Sequence, residues 1–284
     1  MGAAESPGRG GLRRLVLTAA DGARAEVYQH GAHVTSWVPA GGDEQLFVSS
    51  RSEYRAGAAI RGGVPVIFPQ FGPGPLSRHG FARTAHWEVA AAGAGEGGSA
   101  RATLALRDSP ATRALWPAAF DAELTVEVGG RWLAITFGVR NTGTDPLRFT
   151  AALHSYLAVG DLAGAAVGGL RGVRYRDQAA GGRETVDDAP AVRFAGEVDR
   201  LYLAPPAELR LRDEGTPPRT VAIRGEGFPD AVVWNPGADK AHALPDLGDE
   251  YRRMVCVEAA AAGDAVVVAP GARWRGTQRL TLLA

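Results

Sequence analysis

Leu124-Thr125-Val126-Glu127-Val128-Gly129-Gly130-Arg131-Trp132-Leu133-Ala134-Ile135-Thr136-Phe137-Gly138-Val139 decides the fold class. Apolar side chains fall at every second position on both sides of Gly129-Gly130: Leu124, Val126 and Val128 before it, then Leu133, Ile135, Phe137 and Val139 after it. That period is the mark of a half-buried strand, in which successive side chains point to opposite faces. Glycine accepts the positive φ of a tight hairpin turn, so Gly129-Gly130 is expected to join two antiparallel strands.

The same pattern continues outward in both directions. Residues 12–18, 25–28, 33–38, 86–90 and 102–106 read as strands before the hairpin. After it, 147–159 reads as one long strand with mixed faces. Further strands are expected at 208–211, 220–223, 231–234, 254–258, 265–268 and 278–283. Helix is scarce. Residues 110–115 follow Asp108 and Ser109 and form one short candidate, with serine as the N-cap type and Pro110 at the first position. Residues 247–253 could supply another turn. The 38 glycines and 18 prolines are spread along the chain, and no internal repeat or low-complexity segment divides it. Many short strands between Gly and Pro turns imply an all-β sandwich or barrel. Residues 1–10 are expected to be a disordered tail and 11–284 a single domain.

Composition removes several functions. The 284 residues are 45% hydrophobic, enough for a sizeable core, and 31 Lys and Arg balance 31 Asp and Glu. A nucleic-acid binder would carry a basic excess, so no nucleic-acid partner is expected. No apolar run approaches the ~18 residues that span a bilayer, and no membrane association is expected. The N-terminus has no basic region followed by an apolar stretch, as a secretory signal would. Met1-Gly2-Ala3-Ala4-Glu5-Ser6 fits the loose myristoylation pattern, but no polybasic patch or second acylation signal accompanies it. Cys256 is the sole cysteine and cannot form an internal disulfide, so the cytoplasm is the default location. Oligomeric state is not encoded in any motif.

Three local patterns fail their structural requirement. Gly93, Gly95 and Gly98 satisfy G-x-G-x-x-G, but a strand-like 102–106 follows where a dinucleotide site needs a helix, so a hairpin loop is expected. His30 and His33 flank a Gly31 turn with no Cys or Glu set beside them, and no metal site is assigned. Ser155 lacks a G-x-S-x-G elbow and is not read as a nucleophile.

Ionisable groups gather in three places among the apolar strands. Ile60-Arg61-Gly62-Gly63-Val64-Pro65-Val66-Ile67-Phe68-Pro69-Gln70-Phe71-Gly72, continued by Arg78-His79-Gly80-Phe81-Ala82-Arg83, is too rich in Gly and Pro for regular sheet. Its guanidinium groups could hold phosphate or sugar oxygens through planar paired donors, or could be solvated surface arginines. Leu153-His154-Ser155-Tyr156 places a histidine on an apolar strand. Such a histidine is more often a satisfied core residue, yet it is also the natural proton carrier near neutral pH. Val255-Cys256-Val257-Glu258 ends an apolar run on a carboxylate, which is costly to bury without partners.

Taken in order, Arg61-Gly62-Gly63-Val64-Pro65, His79-Gly80-Phe81-Ala82-Arg83, Leu153-His154-Ser155-Tyr156, Gly196-Glu197-Val198-Asp199-Arg200, Val233-Trp234-Asn235-Pro236, Val257-Glu258 and the run from Pro270-Gly271 through Trp274 to Gln278 resemble the glucose-6-phosphate 1-epimerases. These are the hexose-6-phosphate mutarotase branch of the aldose 1-epimerase superfamily. The resemblance covers about Gly31 to Leu282. It implies a large antiparallel β-sandwich of the galactose mutarotase type. It implies that His154 and Glu258 are the catalytic pair and that Arg61, Arg83 and Asp199 bind substrate. His79 resembles a ring-contacting histidine of the superfamily. Arg78 departs from relatives that carry glutamine there; an added cation would change the hydrogen-bond set and strengthen phosphate binding, or point to solvent.

The implied reaction is interchange of the α and β anomers of a hexose 6-phosphate. A base takes the O1 proton while an acid protonates O5, C1 becomes an aldehyde, its bond to C2 rotates, and the ring closes on the other face. Neither a cofactor nor a metal is called for. The expected partner is a small-molecule sugar phosphate, and no motif chooses among glucose, galactose and mannose. Two other readings use the same residues: a mutarotase of free hexoses, or a sugar-binding module, which would need no matched acid and base. A glycoside hydrolase would want a second carboxylate flanking the bond, and none pairs with Glu258 in the sequence.

Overall fold

The computed structural model describes residues 2–283. Strand dominates, in three antiparallel sheets. The hairpin forms as expected, with Phe120–Gly129 paired to Trp132–Asn141 and Gly129 facing Trp132. The turn therefore falls on Gly130 and Arg131, one residue later than the glycine pair suggests, and Gly130 takes the positive φ of 53°. This hairpin sits inside a nine-stranded sheet, between the hairpin Glu88–Ala94 and Ala100–Arg107 on one side and Arg273–Leu282 on the other. The loop containing Gly95, Gly97 and Gly98 joins the antiparallel strands Glu88–Ala94 and Ala100–Arg107, so the G-x-G-x-x-G match is a hairpin connection.

An eight-stranded sheet packs against it. Its order is Arg183–Val186, Arg174–Asp177, Val198–Leu203, Asp230–Asn235, Met254–Val268, Leu147–Leu153, Val66–Ile67, with Tyr156–Ala158 also laid on Met254–Val268. The small sheet Gly2–Pro7, Arg13–Thr18, Arg24–Tyr28, His33–Val38 completes the sandwich. One apolar cluster draws from all three sheets, including Leu17, Val27, Leu124, Ile135, Phe137, Leu153, Val233, Val255 and Val257. Phe68 lies at its centre, edge-on to Trp116, Phe120, Phe137 and Phe149, and so anchors the loop that carries residues 69–83.

Three sequence expectations need correction. Residues 2–7 are not a tail: they pair antiparallel with Arg13–Thr18, from Gly2 opposite Thr18 to Pro7 opposite Arg13. Gly-Ala-Ala-Glu-Ser-Pro has no alternation of its own and takes its extended form from a neighbouring edge, with Arg13 Nη1 donating to Glu5 Oε1 at 2.7 Å. Met1 lies outside the described residues. The expected strand 147–159 is interrupted at His154 and Ser155. The segments 254–258 and 265–268 are one strand, Met254–Val268. The further helical turn expected at 247–253 forms as the 3-10 helix Gly248–Arg253, and a second short α-helix, Gly237–His242, has no counterpart in the sequence pattern. Pro110–Leu115 is helical as read, with Ser109 Oγ accepting from the Thr112 amide. Among the described residues no helix is long and apolar enough to cross a membrane.

Candidate functional site

The eight-stranded sheet has two unlike faces. Along Met254–Val268, Val255, Val257, Ala259 and Ala261 enter the core between the sheets. Cys256, Glu258 and Ala260 project from the other face, with Ala152 and Tyr156 on one side and Val232, Trp234 and Leu201 on the other. The candidate site lies on this outer face.

Register brings the two ionisable residues together. Leu153 pairs with Ala259 and Tyr156 with Cys256, so the residues between them match His154 to Glu258 and Ser155 to Val257. The Val257 amide donates to Ser155 O at 3.1 Å, which makes Ser155–Val257 the hydrogen-bonded position. His154 and Glu258 then occupy a non-hydrogen-bonded position, where cross-strand side chains stand closest. His154 Nε2 and Glu258 Oε1 are 3.3 Å apart. His154 is 8% exposed and Glu258 2%. The imidazole is stacked on Tyr156 at 4.8 Å and meets Trp234 and His79 edge-on. His154 Nδ1 and Glu258 Oε2 are buried and have no hydrogen-bond partner among the described residues.

Burial sets the protonation of the pair. It holds the His154 pKa well below the usual imidazole range, helped by the nearby charges of His79, Arg61 and Arg83. It pushes the Glu258 carboxyl well above the carboxylate range, helped by Asp199. Both shifts favour the neutral pair, imidazole beside carboxylic acid, which holds the same single proton as the ion pair, imidazolium beside carboxylate. The two side chains can therefore exchange roles without taking up a proton from solvent.

The glycine-rich loops deliver the arginines. Gly62 and Gly63 both have positive φ, and a Cβ on Gly63 would sit 2.2 Å from Val34 O. Only glycine lets the chain pass so close to the small sheet and turn Arg61 toward the site. Arg61 Nε and Nη2 donate to the two Asp246 oxygens at 3.0 and 3.2 Å, and Nη1 donates to the Tyr156 hydroxyl at 3.0 Å. Arg83 Nη2 donates to Arg78 O at 2.7 Å, while its Nε is buried without a partner among the described residues. His79 adopts φ of 69° and accepts at Nδ1 from the Gly72 amide at 3.2 Å. Burial and the charges of Arg83, Arg78 and Arg61 lower its pKa to about 3, so it is neutral with its proton on Nε2. Arg78 Nε lies 3.4 Å from that nitrogen, and because both then carry hydrogen this contact is not a hydrogen bond.

Asp199 stands on the same face, opposite Trp234 in the ladder. Burial raises its carboxyl pKa, Lys240 opposes that rise and Glu197 adds to it. Lys240 is held by Glu197 at 2.5 Å. Thus the structure gathers His154, Glu258, Arg61, His79 and Arg83 at one end of the face, with Arg78 at its rim and Asp199 two strands from Glu258. A separate cavity of about 390 Å³, lined by Phe194, Glu197, Lys240, Tyr251 and Arg252 among others, contains none of the seven. Cys256 lies beneath the site, fully buried against Phe47, Tyr156 and Met254. His30 Nε2 and His33 Nε2 donate to backbone carbonyls, Ala58 O and Gly62 O, as structural histidines.

Sequence reasoning missed three residues. Tyr156 and Trp234 lie inside motifs that were read for other members, and their ring contacts with His154 depend on cross-strand register. Asp246 sits in a loop with no pattern around it, and nothing in the sequence connects it to Arg61.

The family model described as aldose 1-epimerase matches residues 13–281. A protein of Cenchrus ciliaris, provisionally named glucose-6-phosphate 1-epimerase, is 38% identical over 275 residues, covering 94% of this chain and 83% of that one. A crystal structure from Salmonella typhimurium, provisionally described as a mutarotase, superposes with a TM-score of 0.88 at 32% identity, over 95% of this chain and 90% of that one. A galactose mutarotase-like protein of Clostridium acetobutylicum gives a TM-score of 0.77 at 13% identity over 99% and 98% of the two chains, which shows the shared sandwich fold alone. On the extent of the family match and the near full-length relatives, this chain belongs to the aldose 1-epimerase family.

Proposed function

We propose that the protein interconverts the α and β anomers of a hexose 6-phosphate, with glucose 6-phosphate the first candidate substrate. The observation that carries this reading is the buried His154–Glu258 pair at 3.3 Å, beneath loops that bring Arg61 and Arg83 close enough for their charge to act on His154. Starting from the ion pair, Glu258 takes the O1 proton as His154 gives its proton to O5. The ring opens, and both side chains become neutral. That is the form burial already favours, so the open aldehyde is met by a stable protein state. Rotation about C1–C2 and the reverse transfers close the ring on the opposite face. A positioned acid or base is worth roughly 10²–10⁴-fold each.

The arginines favour the phosphorylated sugar over a free one. Arg61, Arg78 and Arg83 all act on the His79 ring through their charge, and among the described residues Asp246 is the one carboxylate bonded to this group. The cluster thus retains a positive excess suited to a phosphate dianion. Arg61 and Arg83 also hold down the His154 pKa. A phosphate on them would offset that repulsion and make the imidazolium form easier to reach, which couples substrate binding to acid strength. Asp199 and His79 are assigned to sugar hydroxyls, as an acceptor and a donor. A metabolic role of this kind fits the cytoplasm.

The test is anomer exchange measured by NMR with glucose 6-phosphate, free glucose and free galactose. Faster exchange of the phosphate sugar supports the reading. Faster exchange of free sugars alone would return the arginines to other duties and make the protein a mutarotase of unphosphorylated hexoses.

A further inference from the structure

Ser155 lies directly below the His154–Glu258 pair, on the core face, and its backbone departs from the ladder. In a regular hydrogen-bonded position Ser155 and Val257 would exchange two bonds. The Val257 amide does donate to Ser155 O. The Ser155 amide instead turns back to Leu153 O at 3.0 Å, closing a three-residue turn centred on His154. This turn is what interrupts the strand at the histidine. It also leaves the Val257 carbonyl, one residue before Glu258, without its ladder donor.

The donor comes from the other sheet. Gln278, on Arg273–Leu282, is fully buried and reaches across the core to donate from Nε2 to Val257 O at 3.0 Å. Its Oε1 accepts from Ser155 Oγ at 2.5 Å, and Ser155 is fully buried as well. One amide therefore ties the backbone behind His154 to the backbone behind Glu258, with each of its polar ends satisfied. An apolar side chain in its place would leave the Val257 carbonyl and the Ser155 hydroxyl buried without partners, so the amide fixes the geometry of these two segments as well as filling the space between them.

We infer that Gln278, with Ser155, is a positioning residue that holds the turn at His154 against the strand at Glu258 and so sets the distance and aim of the acid–base pair. This inference rests on the proposed roles of His154 and Glu258, although its structural content does not. Displacement of a reacting group by about an ångström can cost on the order of 10²-fold in rate.

The test compares Gln278→Met, Ser155→Ala, the double variant and Val255→Ala, the last a core substitution one strand step away that touches neither amide bond. Anomer exchange gives kcat and KM, and imidazole ¹⁵N NMR reports the His154 ring. For Gln278→Met we expect kcat to fall about 10–100-fold with KM within about twofold, together with a shifted His154 resonance. Ser155→Ala should lower kcat about three- to tenfold, and the double variant should be no worse than Gln278→Met. Val255→Ala should melt earlier yet keep both kcat and the His154 resonance. Unchanged kcat and an unchanged resonance in folded Gln278→Met would overturn the inference, as would equal kcat losses in Val255→Ala. If Gln278→Met does not fold, Ser155→Ala decides by the same two readouts. If the parent protein exchanges no sugar at all, the functional reading fails, and the His154 resonance alone still decides whether Gln278 sets the ring.

Discussion

The two faces of Met254–Val268 share one backbone and live under different rules. Val255, Val257 and Ala259 face the core, and their job is to fill space between sheets. Cys256 and Glu258 face outward, yet they are as deeply buried as their neighbours, with Glu258 at 2% exposure. The outer face is thus not a solvated surface. It is covered by loops bearing Arg61, His79 and Arg83, and by the rings of Tyr156 and Trp234. A strand covered on both sides can hold a carboxylic acid in a dry setting while the core behind it keeps the strand from moving. Stability is made on one face, and the proposed chemistry lies on the other.

The sharpest way to separate the faces is Glu258→Gln. Turnover should drop by about 10²–10⁴-fold, read by anomer exchange, with an unchanged circular dichroism spectrum. Stability should move the other way. The Glu258 pKa is raised above its unfolded value of 4.5, so the folded state binds more protons than the unfolded one in that range and the parent loses stability as pH rises from 4.5 toward the folded value. Glutamine removes this cost, so above about pH 5 the variant should be at least as stable as the parent in denaturant titrations. A variant that is clearly less stable at pH 7 would show that the carboxylate is a structural anchor. His154 contributes the opposite sign: its lowered pKa makes the parent lose stability as pH falls below 6.5.

The inner face should answer in stability and not in rate. Val255→Ala removes two methyl groups from a fully buried position and should cost about 2 kcal/mol in denaturant unfolding, with kcat within a few-fold. A large loss of kcat would mean that the two faces are mechanically coupled throughout, and not only through Gln278.

Asp246→Asn probes the covering loops. It weakens the paired bonds that aim Arg61, and KM for the sugar phosphate should rise roughly fivefold, about 1 kcal/mol, with kcat little changed. If KM falls instead, Asp246 competes with the phosphate for Arg61.

Much of the inner architecture was legible in sequence because period two is a local signal. The hairpin around Gly130, the strand His33–Val38 and the helix Pro110–Leu115 with its Ser109 cap all follow from neighbours along the chain. What could not be read depends on partners far away. Gly2–Pro7 has no alternation and becomes a strand through the edge offered by Arg13–Thr18. The break at His154 arises because the Ser155 amide chooses Leu153 O over Val257 O, a choice made possible by a glutamine on another sheet. His154 and Glu258 each look unusual in their own strand, but their contact is a consequence of register. Arg61 stands in a visible motif, while Asp246, which holds it, lies in a loop with no pattern.

The chain's one cysteine gives this arrangement a built-in clock. Cys256 is fully buried under Tyr156 beside Met254, and burial pushes its thiol well above the usual range, so it is almost never a thiolate while the face is closed. A thiol reagent can reach it only in moments when the loops and rings lift away. The pace of labelling therefore counts how often the floor beneath the proposed sugar site is laid bare, and a bound ligand that seals the face should slow that count without touching the sulfur.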